Sequence, residues 1–442
     1  MRIIVVGAGP AGLFCAVALA RRGHRVAVVD RDPGPPASGR WRRRGVMQFD
    51  HAHTFRAPVV AALRDEIPGA VEALAAVGAR IVPGPGGALL CRRSTFEREL
   101  HRIAAGQHGL TRYVGTVDRP EFVGGRVAGV VVDGRVFAAD LVIDASGRAA
   151  RYLRGLRPEP VGADCGAVYA TRQYRTHTGA TAGPVNSPIG LSLSMSGYAA
   201  IAFVHDAGTF SITLVHDGTD LRLRRLRDDA VFEAAVGAIP QLCEWIDPRH
   251  AHPLTAVLTG GRVYNSYGAQ LAGDGGPCLP GLISVGDAVC TTTPLAGRGV
   301  TLAFRQAAAL LRILDDENES DSAAVRFAGW CDQHVRPWFA DHLDVDGDRM
   351  RRWAGGAVDL TRPLPSDLVV AAAGADASLG PLIEPYAAMT APPAGLAPAR
   401  RRAHEIFAAG WRPPVPPGPD RYELAAICER PTAAVSSTPA AV

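Results

Sequence analysis

The sequence predicts a mixed α/β protein of class α+β: a nucleotide-binding domain on a parallel sheet, an inserted mixed β-sheet domain, and a C-terminal helical segment. Three observations predict it. A strand, a glycine turn, a helix and a second strand ending in an acid fill the first 30 residues. Two more apolar strands that end in an acid and a glycine lie far downstream, at Asp140–Arg148 and at Gly281–Val300. Between them run alternating segments with glycine-bearing turns, the pattern of a half-buried sheet.

Taken in order, Ile3–Val6 is a β-branched apolar run, as a buried parallel strand requires. Gly7-Ala8-Gly9-Pro10-Ala11-Gly12 follows, then a helical pattern to about Arg22, and a second strand over Val26–Val29 that ends in Asp30. Gly7 allows the tight turn, Gly9 lets backbone approach a pyrophosphate, and Gly12 lets the helix pack close to the strand. Pro10 and Ala11 open the helix, whose free N–H groups and positive end suit phosphates. Asp30 stands 18 positions beyond Gly12, where it can accept hydrogen bonds from ribose hydroxyls. This motif alone fits FAD and NAD equally.

The later segments choose between them. Asp140-Leu-Val-Ile-Asp144-Ala-Ser-Gly147-Arg148 reads as a strand with a tight exit. Leu282–Val285 reads as another strand, ending at Gly286-Asp287; a polar loop through Pro294 leads to Gly297-Arg298-Gly299-Val300 and a helix to about Leu314. Asp287 can bond a ribityl hydroxyl, glycines 297 and 299 let backbone lie against a flat ring, and the helix start would oppose negative charge on a reduced flavin. A nicotinamide enzyme has no use for this second distant site, so the sequence points to FAD. Arg31 and Val117 complete the candidate cofactor-binding set.

These three segments, in this order and spacing, resemble the flavoprotein monooxygenases of the para-hydroxybenzoate hydroxylase fold, whose nucleotide domain is Rossmann-like. Arg44-Gly45-Val46-Met47-Gln48-Phe49-Asp50-His51-Ala52-His53 is similar to an RxGVxQxxHxH stretch in a subgroup that includes bacterial polyketide epoxidases. The likeness covers roughly residues 1–345, weakly in the middle third. It implies that Arg44, Gln48 and Arg93, the last at a helix start, contact the flavin or its phosphates, and that Pro294 sits beside the reactive ring carbon. It also implies a place in secondary metabolism. Asp144-Ala-Ser-Gly147 departs from the fuller acid-glycine signature of hydroxylases that use NADPH directly, which leaves direct reduction by NADPH or NADH and supply by a separate flavin reductase both open. Flavin halogenases share the fold, but their catalysis uses a lysine and a Trp-x-Trp-x-Ile-Pro signature. This chain has neither: all 47 of its Lys+Arg residues are arginine.

In the middle of the chain, Cys165–Arg175, Ile189–Met195, Ala199–His205 and Thr209–His216 read as strands, with a hairpin at Asp206-Ala-Gly208. An arginine-rich helix over about Leu221–Ala238 and a strand near Leu254–Leu258 follow. The expected domains are 1–160 plus 276–345 for FAD, 161–275 for a sheet that roofs the flavin, and 346–442 for the C-terminal helices and a proline-rich, disordered tail. The strands carry few charges, which suggests an apolar or aromatic small substrate. Met195, Tyr198 and Phe203 are candidate lining residues, with core packing the favoured role for each.

Composition excludes several other functions. A length of 442 residues suggests two or three domains. A net charge of +4 lacks the strongly basic surface of nucleic-acid binding. Without lysine, Schiff-base chemistry is closed. The eight cysteines are scattered with no CxxC pair, so a redox dithiol or zinc site is not expected. His51 and His53 have no third ligand nearby and suit a flavin-contact or structural role. Asp344-Val-Asp346-Gly-Asp348 lacks the closing glutamate of a calcium loop and reads as a solvated turn; Arg40–Arg44 reads as phosphate-neutralising or solvated. No apolar run reaches the roughly 20 residues of a membrane span, and no secretory signal is convincing, so a cytoplasmic location is expected.

The leading expectation is an FAD-dependent monooxygenase. Reduced FAD and molecular oxygen would give a flavin hydroperoxide that transfers one oxygen atom to an alkene or electron-rich ring, with no catalytic side chain required. The alternatives are a flavin reductase of the prenyl-reductase type, a non-catalytic flavin redox module and, more distantly, an NAD-dependent dehydrogenase.

Overall fold

The structure is a computed structural model that describes residues 1–43, 45–84, 87–148, 150–261, 263–317 and 319–430. Arg44 and the tail from 431 lie outside the described residues. The elements that position the site start with β1 (Arg2–Val6), α1 (Pro10–Arg21) and β2 (Arg25–Asp30), followed by α2 (Arg93–Ala105), β3 (Leu110–Val114) and β4 (Leu141–Asp144). The sheet domain contributes β5 (Ala167–Thr176), β6 (Gly190–Met195), β7 (Tyr198–Val204), β8 (Thr209–Asp217) and α3 (Asp229–Gly237). β9 (Leu282–Ser284), α4 (Gly299–Asp316), α5 (Arg336–Trp353), α6 (Gly380–Ala387) and α7 (Arg421–Glu429) complete the set.

The first sheet is parallel throughout, in the order β9–β4–β1–β2–β3. Its β1 neighbours β2 on one side and β4 on the other, so strand order reverses beside the Gly7 turn. A crevice opens at the carboxyl ends of the strands at such a point. Alternation splits β1 between two cores. Ile3 and Val5 pack with α1, α2 and α4, where Phe14 and Phe304 stand 4.7 Å apart; Ile4 and Val6 face a smaller cluster on the opposite side.

The second sheet is antiparallel, β6–β7–β8–β5, and one of its faces packs against α3 and α7. The arginine-rich run is not one helix. Leu221–Arg227 is a 3-10 turn, Asp228 is extended, and α3 begins after it. The strand expected near Leu254–Leu258 is two short pieces, Ala251–Pro253 and Leu258–Gly260. Between them Thr255 occupies the ladder, its Oγ1 accepting from the Gln173 N–H at 3.2 Å.

Two charged runs, one read as a solvated turn and the other as phosphate-neutralising or solvated, each bury part of their length. Asp346 and Asp348 lie inside α5 and are 3% and 2% exposed. Helical spacing places their arginine partners one turn on: Arg349 for Asp346, Arg351 and Arg352 for Asp348, with Arg362 reaching Asp348 at 2.7 Å. Asn265 donates to Asp346 at 2.6 Å. In the Arg40–Arg44 run, Trp41 is buried and donates its indole N–H to Asp32 at 3.1 Å, and Arg43 is buried as well. The expected boundary at 345/346 falls inside α5, and α7 leaves the other C-terminal helices to join the core of the second sheet. Among the described residues, no helix is long and apolar enough to cross a membrane.

Candidate functional site: a cavity between the two sheets

A cavity of about 330 Å³ joins the Gly7 turn to the second sheet. It brings together segments nearly 300 positions apart: Gly7, Gly9, Pro10 and Ala11 of the first turn; Asp30 and Arg31 after β2; Gln48; Arg93; and Asp287, Pro294, Gly297, Arg298, Gly299 and Val300 of the late loop. Gly12 lies just behind, where it has the packing role expected of it.

The glycines show which part of this turn serves the fold and which is open to a ligand. A Cβ on Gly12 would come 1.9 Å from the Gly7 carbonyl oxygen, and one on Gly7, whose φ is +105°, 2.4 Å from the Ala145 oxygen. Both are fixed by the crossing of α1 over the strands. A Cβ on Gly9 would meet only the Arg43 guanidinium, at 3.8 Å. The space above Gly9 is therefore kept clear by sequence rather than filled by protein. α1 begins there without a side-chain cap or an acid in its first turn, which leaves its positive end to an anion. At the other end of the cavity, Thr292 Oγ1 is buried without a partner among the described residues. The Asp287 carboxylate is open to the cavity yet deep in the protein body; loss of bulk water pushes its pKa up, against the pull of Arg93 and Arg148. A clear backbone cradle at one end and polar atoms awaiting partners at the other fit an FAD laid from Gly9 to Gly297.

A chain of charges runs beside this path. Asp30 accepts from the Ala8 N–H at 2.7 Å and from Arg43 at 2.6 Å. Arg43 also binds Glu97, which is fully buried, and Glu97 in turn holds Arg93. Arg93 donates to His53 Nε2 at 3.3 Å, and His53 Nδ1–H donates to the His51 carbonyl at 2.8 Å. Burial and the Arg93 charge keep His53 well below the usual histidine range, so it is neutral in this role. Arg43 and Glu97 were absent from the expected site. The i,i+4 spacing of Arg93 and Glu97 was the signal available for Glu97; the Arg43–Glu97 pair spans 54 positions, which spacing does not reveal.

The late loop is held from outside the nucleotide domain. Arg298 lines the cavity with its backbone end, while its guanidinium turns away to Asp341 on α5 at 2.8 Å and to the Tyr386 hydroxyl on α6. The Trp338 and Tyr386 rings flank it at 4.8 and 4.7 Å. Arg56 is a second strut, donating to Ala296 at 2.8 Å and to Ala387 at 2.6 Å.

The roof is one face of the second sheet: Tyr169 and Thr171 of β5, Ile201 and Phe203 of β7, Thr213 and Val215 of β8. No charged side chain of these strands points into the cavity. Of the three candidate lining residues, Phe203 lines the cavity. Tyr198 and Met195 have the core-packing role instead: on β7 Tyr198 is five positions from Phe203, an odd offset, so the pleat points it to the opposite face. There it is fully buried and donates to the Pro419 carbonyl at 2.9 Å, while Met195 packs under Gly418. Val117 is also elsewhere, starting a strand that packs on the far side of the parallel sheet. Strand parity in 167–176 and 209–217 was the signal available for the missed Tyr169, Thr171, Thr213 and Val215.

Comparison with known proteins agrees with this geometry. Residues 2–112 match the family model described as FAD dependent oxidoreductase. A D-amino acid dehydrogenase of Sinorhizobium medicae is 40% identical over 58 residues, which span 13% of this chain and 14% of that protein. Matches to the curated relatives thus cover about one seventh of their length. Among solved structures, the flavin-dependent brominase Bmp2 aligns over 92% of this chain and 100% of its own, with TM-score 0.66 and 14% identity. PqsL, a probable FAD-dependent monooxygenase from Pseudomonas aeruginosa, aligns over 80% and 98%, with TM-score 0.58 and 14% identity. The myxobacterial chondrochloren halogenase CndH aligns over 78% and 82%, with TM-score 0.58 and 19% identity. In fold the chain resembles these enzymes, and its first 112 residues match the FAD dependent oxidoreductase model.

Proposed function

We propose that the chain is an FAD-dependent monooxygenase that transfers one atom of molecular oxygen to an apolar alkene or aromatic substrate. The observation that carries this reading is the single cavity that joins a dinucleotide cradle to an uncharged sheet face. When bound, the flavin supplies the redox chemistry, taking electrons that originate in NADPH or NADH and activating oxygen.

The protein's share is to bind, orient and exclude water. The N–H groups at the start of α1, with Arg93 and Arg31 nearby, would hold the diphosphate, and Asp30 the ribose. Asp287 would hold the ribityl chain, and Pro294 with Gly297–Val300 the ring, with the positive end of α4 opposing negative charge there. Ile201, Phe203, Val215 and Leu295 keep the reacting face dry. Epoxidation is the favoured form of the transfer, on the likeness of the Arg44–His53 stretch to polyketide epoxidases. Halogenation is set aside: likeness to halogenases at this identity is one of fold, and the chain carries no lysine.

An anaerobic titration with NADPH and then NADH, following the visible flavin band, tests the reading. Bleaching that reverses in air, with oxygen uptake coupled to product, is the expected outcome. A band that bleaches only on adding a flavin reductase places the electron supply in a partner. Turnover without oxygen would transfer the chain to the reductase class, and failure to bind FAD would overturn the proposal.

A further inference from the structure

His51 lines the cavity, and among the described residues no hydrogen bond engages its ring. It is 6% exposed, and its Nδ1 is buried without a hydrogen-bond partner among the described residues. The segment that carries it is docked on the second sheet: Gln173 of β5 donates to the Asp50 carbonyl at 2.5 Å, and the His51 ring stands edge-on to Tyr169 with centroids 5.0 Å apart. The Tyr169 hydroxyl accepts a long hydrogen bond from Gln48 at 3.5 Å, and its own proton has no acceptor among the described residues. Two side chains that must be satisfied when buried therefore face one corner of an otherwise apolar roof.

We propose that His51 and Tyr169 form a recognition site for one oxygen atom of the substrate, a carbonyl or hydroxyl on an uncharged and otherwise apolar molecule. The proposal rests on the monooxygenase reading and narrows its substrate class. Tyr169 donates, and His51 offers a donor at one nitrogen and an acceptor at the other, so either kind of oxygen is served. Thr171 and Thr213 bond each other at 2.9 Å, which uses one of their two hydroxyl protons within the protein. Burial holds the His51 pKa down at about 4, so it offers no positive charge to a carboxylate. Arg43, Arg93 and Arg298 are each paired with a carboxylate. Arg148 also lines the cavity, and its charge reaches both Asp287 and Tyr169, so the carboxylate probe tests whether it draws an anion to this corner.

The test uses the FAD-loaded protein and three probes of one shape: 1-tetralone, tetralin and tetralin-1-carboxylate. Dissociation constants are read from the perturbation of the bound flavin spectrum. In the wild type the ketone binds about tenfold more tightly than the hydrocarbon, and more tightly than the carboxylate. His51→Leu and Tyr169→Phe each cut the ketone preference to about threefold or less, with tetralin binding and FAD affinity held; His51→Gln restores part of it. Equal binding of ketone and hydrocarbon, no binding of either, a preference for the carboxylate, or variants that lose FAD instead would each overturn the proposal. None of these readouts needs oxygen chemistry. A ketone preference without oxygen-dependent product would retain the recognition site and reject the monooxygenase reading.

Discussion

The two ends of the cavity are built on opposite plans. At the Gly7 end, the backbone is locked by its own neighbours: α1 crosses β1 and β4 so closely that Gly12 touches the Gly7 carbonyl, and the charges form a closed chain from Asp30 through Arg43 to Glu97. At the Gly297 end, Gly297 itself is close to a side chain, a Cβ there meeting Thr54 Oγ1 at 3.0 Å, while Gly299 is open. A Cβ on Gly299 would meet only Thr292 Oγ1, at 4.0 Å, and the loop is fixed by Arg298 and Arg56 reaching to helices from the last quarter of the chain. One end is rigid by local sequence, the other by remote contacts. Substitution of the packed glycines 7 and 12 should act on the fold, whereas substitution at Gly9, or of the struts that hold the late loop, should act on the ligand.

Gly12→Ala carries the largest expected effect. The added methyl overlaps backbone, so a loss of about 3 kcal/mol or more is expected, with a collapsed melting temperature and no FAD retained. Three positions away, Gly9→Ala should leave the melting temperature within about 2 °C, because its φ of −75° suits any residue and the space is empty. FAD affinity of the apoprotein should nevertheless fall about tenfold or more, since the methyl occupies the place of the diphosphate. Equal damage from both substitutions would erase the contrast between fold glycine and ligand glycine.

Acid should erode stability. Burial lowers the pKa of His51 and His205 to about 4 and that of His101 to about 3. A histidine held neutral in the folded state contributes stability that is complete above its unfolded pKa of about 6.5 and is lost as pH falls toward the folded value, up to about 3 kcal/mol each. Melting temperatures measured from pH 7 down to pH 4.5 should therefore drop, and His101→Phe, which keeps the contact with Trp41, should flatten the decline. An unchanged slope in that variant would show that His101 does not contribute.

Tyr386→Phe has the smallest expected effect. It keeps the ring beside Arg298 but removes the hydroxyl that bonds Asp341 at 2.7 Å and Ser366 at 2.6 Å. A loss of about 1 kcal/mol in FAD binding, with little change in melting temperature, would confirm remote support of the late loop. If stability falls and FAD binding does not, the strut serves only the C-terminal helices.

The parallel sheet and both glycine turns were legible because they are local: Ile3–Val6, Gly7–Gly12 and Gly286–Gly299 each state their conformation within a few residues. The strands of the roof were legible too, but not their facing. Tyr198 and Phe203 were weighed alike, as lining candidates with core packing favoured, although parity on one strand points them to opposite faces. What could not be read were pairings between distant positions. Arg43 and Asp346 look solvated until Glu97 and Asn265 are brought to them by tertiary structure. The reach of α5 and α6 back to Arg298 was invisible because nothing near Tyr386 marks it as part of a flavin site.

The placement of α7 bears on how the chain is made. Leu424, Ala425 and Cys428 complete the apolar layer behind the roof, together with Leu214, Phe232 and Val236, and Asp420 with Glu423 forms a capping box that starts the helix. That layer cannot close until the final turn of helix has left the ribosome, so more than 200 residues after β8 are synthesised while its outer face is covered only in part, by α3 and the residues beside it. Nascent chains shortened before residue 421 should therefore expose a sticky sheet and recruit chaperones, even though the nucleotide-binding end has its own finished core.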